Sequence, residues 1–142
     1  MPTSPLEIED LDAIEKALGV TFTNRDHLIR ALTHQSYINE HPDKLPVSNE
    51  RLEFLGDSIV GMVVANLLYV GAPDLPEGDL TVRRSQVVRR ETLASVSKSI
   101  GLGQWVVMGK GEAAAGGNER NSNLADSFEA VAGAIFVDQG YE

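Results

Sequence analysis

The stretch from Asn49 to Tyr69 constrains this 142-residue chain more than any other. It reads as one helix capped by Ser48, about 21 residues and about 31 Å long. At about 100° per residue, Glu50, Glu53 and Asp57 fall within about 60° of one another and form one stripe. The stripe continues as Val60, Val64 and Leu67, while Leu52, Leu55, Ile59, Met62 and Val63 fill the other sides. A helix apolar nearly all round is normally buried. The pattern therefore predicts a central, buried helix whose acids face a cleft. The plain alternative is a solvated face that turns inward further along, because charged side chains are mostly exposed.

Around this element the punctuation predicts further helices. Leu6 to Leu18 carries Ile8, Leu11, Ile14 and Leu18 at helical spacing, and Gly19 stops it. The residues before it, with Pro2 and Pro5, read as loose. Asn24 caps a short helix holding Leu28, Ile29 and Leu32. Thr33 to Val47 reads as a loop, punctuated by Pro42 and Pro46. After a turn-rich connection at Gly71, Pro73, Pro76 and Gly78, one helix is expected from about Leu80 to Ile100. Gly101 to Gly117 reads as mostly loop, with extended pieces around Trp105 to Met108. A last helix runs from about Leu124 to Val137, capped by Ser122 or Asn123. The expected fold class is all-α, in one domain.

That last helix gives the acidic stripe a counterpart. Asp126 and Glu129 are i,i+3 neighbours on one face, with Ala130, Gly133 and Val137 beneath them. Leu124, Phe128, Val131 and Ile135 make a core stripe on the opposite face. Gly56 and Gly61 on the central helix permit a close approach. If the two faces meet, four or five carboxylates converge. Two like charges about 4 Å apart repel by roughly 4 kcal/mol at an effective dielectric near ~20. Either some protons stay on, or divalent cations sit among the acids.

Composition narrows the choice of ion and of partner. The chain has no cysteine, which removes disulfides, a thiol nucleophile and Cys-ligated zinc together. Oxygen-only ligands favour Mg²⁺ or Mn²⁺. A di-iron bundle needs Glu-x-x-His pairs. His27, His34 and His41 are preceded three residues earlier by Asn24, Ala31 and Ile38, so they read as surface or loop packing residues. A formal charge of −9, from 12 basic and 21 acidic residues, excludes nucleic-acid binding by bulk charge alone. It leaves room for a nuclease whose acids hold metal. The apolar run Ile59 to Ala72, interrupted by Asn66, reads as too short to span a bilayer. Met1 to Glu7 lacks a basic-then-apolar signal region, so a cytoplasmic protein away from membranes is expected.

The segment Asn49-Glu-Arg-Leu-Glu-Phe-Leu-Gly-Asp-Ser58 resembles the signature of the ribonuclease III family, whose members cleave double-stranded RNA. Four further segments resemble that family's motifs, in order and spacing. They are Thr33-His-Gln-Ser-Tyr37, Glu77-Gly-Asp-Leu80, Gly109-Lys-Gly-Glu112 with Gly116-Gly117, and Leu124-Ala-Asp-Ser-Phe-Glu-Ala130 continuing to Phe136-Val-Asp138. The likeness covers roughly Leu28 to Gly140.

The resemblance implies an all-α endonuclease domain working as a homodimer in rRNA and mRNA maturation. It makes Glu53, Asp57, Asp126 and Glu129 the core metal-site acids, with Asp57 and Glu129 the catalytic positions and Glu129 the most sensitive. Glu50 and Glu77 match two further acids of the site. Phe54 matches an aromatic residue that plugs a pocket on the partner subunit; simple core packing is its alternative role. Two departures stand out. Family members usually continue into another helix and a double-stranded-RNA-binding domain, so residues 1–142 are expected to be the nuclease domain without them. Asn123 sits where an aliphatic residue is more usual.

For the chemistry, the resemblance implies phosphodiester hydrolysis to 5′-phosphate and 3′-hydroxyl ends, with two sites across the duplex leaving a short 3′ overhang. Paired divalent ions can activate water and clamp the phosphate oxygens. RNA duplexes are read by shape, phosphate and 2′-hydroxyl contacts. Arg83, Arg84, Arg89, Arg90 and Lys98 concentrate five of the twelve basic residues in the expected Leu80–Ile100 helix. Part of this run faces RNA phosphates or, alternatively, is a solvated face balancing the acids. The Gly109 to Gly117 loop lacks the Gly-Lys-Ser/Thr pattern of a phosphate cradle, and Trp105 reads as a packing anchor. Two competing readings remain open: a non-catalytic nuclease-fold module for RNA binding or assembly, and an acid-faced interaction domain that binds no metal.

Overall fold

The structure, a computed structural model, describes residues 5–43 and 47–141. The expectations that touch Pro2 and Pro46 lie outside the described residues. Eight α-helices and two 3₁₀ turns make up the described regular structure, with one isolated parallel bridge pairing Thr33 and Val107. That bridge is what remains of the extended stretch expected near Met108.

Helix α1 (Ile8–Leu18) begins where the Asp10 carboxylate accepts from the Glu7 N–H at 2.9 Å, and ends at Gly19 in the left-handed conformation, φ 70°. Helix α2 (Arg25–Ala31) is capped as expected: the Asn24 side chain accepts from the Asp26 N–H at 3.0 Å. The segment after it is not all loop. A six-residue helix α3 (Gln35–Glu40) starts where His34 Nδ1 accepts from the Ser36 N–H at 3.1 Å. A histidine is an unusual cap and six residues show no periodicity, so the element left no readable pattern. His41 stacks on Tyr37, centroids 4.3 Å apart, so both histidines do pack locally.

Helix α4 (Glu50–Gly71) is the expected long helix. Ser48 Oγ accepts from the Glu50 N–H at 3.3 Å. The preceding Asn49 is buried. Its N–H donates to the Thr33 carbonyl at 2.9 Å and its side-chain amide to the Ala31 carbonyl at 3.1 Å. The first turn of α4 is thus pinned to the end of α2, which fixes where its acids project.

The single helix expected from Leu80 to Ile100 is instead two, α5 (Glu77–Val87) and α6 (Arg90–Ser99). Arg89 is extended, ψ 158°, and the Thr92 hydroxyl donates to the Gln86 carbonyl at 3.0 Å, giving a carbonyl at the end of α5 a side-chain partner. A hydroxyl inside a helical pattern does not advertise a break. After a 3₁₀ turn (Leu102–Trp105), the glycine-rich loop forms a short helix α7 (Lys110–Ala114) and a second 3₁₀ turn (Gly117–Glu119). The last helix, α8 (Asn121–Gln139), starts earlier than expected, with Arg120 rather than Ser122 or Asn123 at its cap position.

The core forms around α8. Val131 and Ala134 lie in one buried cluster with Leu11, Ile14, Leu28, Leu32 and Leu102, and Trp105 packs against it as an anchor. The expectation that α4 is buried all round is corrected. Only Leu52 and Gly56 of α4 are buried, whereas Leu67, Tyr69 and Val70 are 64%, 75% and 69% exposed. The bilayer argument is corrected too. The 22 residues of α4, with mean hydropathy 1.6 in their most apolar window, are long and apolar enough to cross a membrane by length and composition alone. The same helix nevertheless docks on α8 through its first half. An apolar helix with one partnered half needs cover for the other half, from whatever source.

Candidate metal centre

The site begins with two glycines that let α4 and α8 touch backbone to backbone. A β-carbon on Gly56 would collide with the Glu129 carbonyl oxygen, and one on Gly133 would collide with the Leu52 carbonyl oxygen. Gly61, expected to help, faces open space and plays no such part. Side chains flanking so close a crossing cannot diverge far. Glu53 and Asp57 flank it on α4, Asp126 and Glu129 on α8.

Their carboxylates converge. Oxygens of Glu53, Asp126 and Glu129 lie within 4.8 Å of one another. Glu53 shares a hydrogen bond with Asp126, and Glu129 with Asp57. Burial pushes the Glu53 carboxyl up to about 7, helped by the hydrogen bond and charge of Asp126 and then by the charges of Glu50 and Asp57. Burial likewise pushes Glu129 up to about 8, followed by its hydrogen bond with Asp57 and the charges of Asp57, Glu53 and Asp126. Protons hold this cluster together when nothing else does. A half-buried set of carboxylate oxygens without nitrogen or sulfur fits a hard divalent cation, whose charge would replace those protons.

The other expected site residues fall into three places. Glu50 is exposed on the first turn of α4 and close enough to act on Glu53. Glu77 opens α5, outside the group of three, in a groove with Ala65, Leu68, Leu80 and Arg84. Phe54 is 80% exposed, which removes the core-packing alternative. It lines a groove of about 630 Å³ together with Arg30, Val47, Leu52, Leu55 and Val137. The basic run is divided by the break: Arg83 and Arg84 lie on α5, Arg89 precedes α6 and Arg90 is its first residue. All four are exposed, and Arg89 reaches Glu91 at 3.8 Å. Sequence reasoning missed Asn49 as the residue that pins α4, and Glu112 as a partner of α8. Neither is marked by periodicity, because both act through contacts distant in the chain.

An all-helical fold with a carboxylate cluster at one helix crossing defines a class of helical proteins whose acids could hold a divalent cation. Comparison with known proteins gives the lineage. Residues 24–142 match the ribonuclease-III-like family model, and the chain belongs to that family. It is 49% identical over 133 residues to ribonuclease 3 of Dehalococcoides mccartyi, covering 94% of this chain and 56% of that protein. It is 50% identical over 127 residues to ribonuclease 3 of Symbiobacterium thermophilum, covering 89% of this chain and 53% of that protein. The chain thus spans about half the length of the curated relatives it matches. Among solved structures it resembles the nuclease domain of ribonuclease III from Campylobacter jejuni, with a TM-score of 0.85 and 36% identity over 92% of this chain and 87% of that one. That structure is described as flexible in a region involved in dimer formation. Dicer from Pichia stipitis is a more distant match, with a TM-score of 0.60 and 28% identity over 84% of this chain and 48% of that one.

Proposed function

We propose that residues 1–142 form a nuclease domain that hydrolyses phosphodiester bonds of double-stranded RNA, dependent on Mg²⁺ or Mn²⁺, as a two-fold homodimer. One observation carries this reading: the gathering of Glu53, Asp126 and Glu129, with Asp57 bonded to Glu129, across the Gly56–Gly133 crossing. These four acids would hold the ions. When bound, divalent cations supply a lowered pKa for water and charge neutralisation at the phosphate. The chain's own residues do the rest. Glu129 is held by Asp57, which fixes the direction in which its carboxylate faces the shared site. The half-buried wall formed by α4 and α8 limits water around the acids, which strengthens their electrostatic effect. Glu50, whose charge acts on Glu53, is a second-rank acid of the site, and Glu77 is a further acid by family resemblance alone.

The homodimer reading rests on Phe54 and the adjoining groove. An exposed aromatic beside a groove on the same surface is what a two-fold interface uses, since each copy offers both plug and socket. Arg83, Arg84, Arg89 and Arg90 are the RNA-facing candidates. Exposed and not committed to strong ion pairs, they fit phosphate contacts, while the net charge of −9 predicts weak affinity for this portion alone. The products would carry 5′ phosphates and 3′ hydroxyls, in rRNA and mRNA maturation in the cytoplasm.

The test is incubation of the protein with a long RNA duplex, with and without Mg²⁺. Cleavage only with the ion supports the reading. A folded, dimeric, metal-loaded protein that leaves the duplex intact would instead be a non-catalytic RNA-binding or assembly module.

A further inference from the structure

Helix α8 starts without a conventional cap. Arg120 holds the cap position, and no side chain there accepts from the first free N–H groups. Two side chains of this region instead converge on one carboxylate. Arg120 Nη1 lies 3.0 Å from Glu112 Oε2, and the Asn123 amide donates to the same oxygen at 3.1 Å. The Asn123 amide also donates to the Gly117 carbonyl at 3.1 Å. Asn123 is 8% exposed, so its amide has little access to water and both donations go to protein. The pocket around it is tight. A β-carbon on Gly117 would lie 2.7 Å from Glu112 Cγ, from the Glu112 carbonyl oxygen and from Met108 Sδ. Glu112 belongs to α7 and Gly117 to the following 3₁₀ turn, so one amide ties both elements to α8.

Asn123 lies one helical turn before Asp126. Glu129 is anchored independently, because its backbone is wedged against Gly56. The two acids that α8 gives the site are therefore held by different devices. The glycine crossing holds Glu129, and the start of the helix is held by the contacts just described together with the buried Leu124 and Ala125, of which the Arg120 and Asn123 contacts tie it to α7.

We propose that Asn123, through Glu112 and Gly117, is the positioning residue that sets Asp126 relative to Glu53 and Glu129, and so sets the site's affinity for divalent cations. The inference rests on the metal-site reading above. Loosening the pin lets the first turns of α8 shift while the crossing stays intact. Cation affinity then falls without loss of the fold.

The test follows Mn²⁺ binding by electron paramagnetic resonance, beside the melting temperature of each metal-free protein. No RNA is needed. Asn123→Asp places a carboxylate against Glu112 and is expected to raise the half-saturating Mn²⁺ concentration about tenfold. Asn123→Ala removes the donor without adding charge and gives a smaller rise, about threefold. The double variant Glu112→Gln with Asn123→Asp reverses donor and acceptor across the same gap. Because the Gly117 carbonyl still lacks its donor, it is expected to recover only part of the loss, to about threefold above the parent. If Asn123→Asp does not fold, the alanine and double variants carry the same comparison. The proposal is overturned if neither single variant weakens Mn²⁺ binding, or if the double variant regains melting temperature and not affinity. A parent protein that binds no Mn²⁺ overturns the metal-site reading together with the pin. A parent that binds while its variants bind equally well overturns the pin alone.

Discussion

The two halves of α4 make opposite use of one helix. In the first half, Leu52 and Gly56 are buried against α8 and the acids are squeezed between the helices. In the second half, Gly61 faces open space, Leu67, Tyr69 and Val70 are largely exposed, and α5, which has no buried residue, lies alongside. The sequence is more apolar in the half that is less covered. Hydrophobicity alone therefore does not say where a helix is packed. The contact that matters for the chemistry was decided by two missing β-carbons, which let polar groups be forced together where apolar bulk would have kept the helices apart.

The largest expected effect tests whether the packed half is the working half. Glu129→Gln keeps shape and removes a charge, and should lower cleavage of duplex RNA by about a thousandfold or more in a single-turnover assay. The fold should survive, read by circular dichroism. The sharpest structural contrast pairs two glycines of the same helix. Gly56→Ala should destabilise by about 3 kcal/mol or more in urea unfolding, because the collision is with backbone that cannot move aside. Gly61→Ala should be neutral or stabilise by up to about 1 kcal/mol, because its β-carbon meets nothing and alanine is the better helix former. Equal effects at the two positions would dissolve the distinction between the halves.

Phe54 lies on the first half, exposed, and lines a groove with Glu50 rather than belonging to the group of Glu53, Asp126 and Glu129. Phe54→Glu should weaken self-association by about 2 kcal/mol or more in sedimentation equilibrium. Its Mn²⁺ affinity measured on the monomer should not change. The smallest effect concerns pH. Glu53 and Glu129 have folded-state values raised from 4.5 to about 7 and about 8, so the native state holds more protons than the unfolded chain in that window. Without metal, stability should fall as pH rises from about 5 to about 8, and level off beyond. Added Mg²⁺ should flatten the slope, because the cation takes over the role of the protons. A metal-free melting temperature that rises over that range would contradict the clustering of the acids.

Much of the architecture was legible in the chain itself. The caps at Asn24 and Ser48, the stop at Gly19 and the position of α4 followed from local chemistry that needs no partner. The placement of Glu53 and Asp57 on one face of α4, and of Asp126 and Glu129 on one face of α8, followed from helical period, while their meeting was an expectation that the family resemblance implied. The failures share one cause. Helix α3, the break between α5 and α6, and the early start of α8 each depend on a hydrogen bond or ion pair with a particular partner. Examples are His34 with Ser36, Thr92 with Gln86, and Arg120 with Glu112. Such contacts have no period and leave no trace in hydropathy. The burial of α4 was misjudged because a run of apolar residues records a need for cover and does not name the covering surface.

The residues alone determined the helical class, the family, and which acids lie on one face of which helix, because period and side-chain chemistry are properties of the chain taken locally. The tertiary structure decided that the two faces meet at Gly56 and Gly133, that the carboxyls retain protons there, and that Phe54 and the far end of α4 stay outside the core. The protons concerned are those of Glu53 and Glu129, held to higher pH by burial and by neighbouring charge. These outcomes depend on distances between residues far apart in sequence, and electrostatic repulsion and steric exclusion act through distance in space.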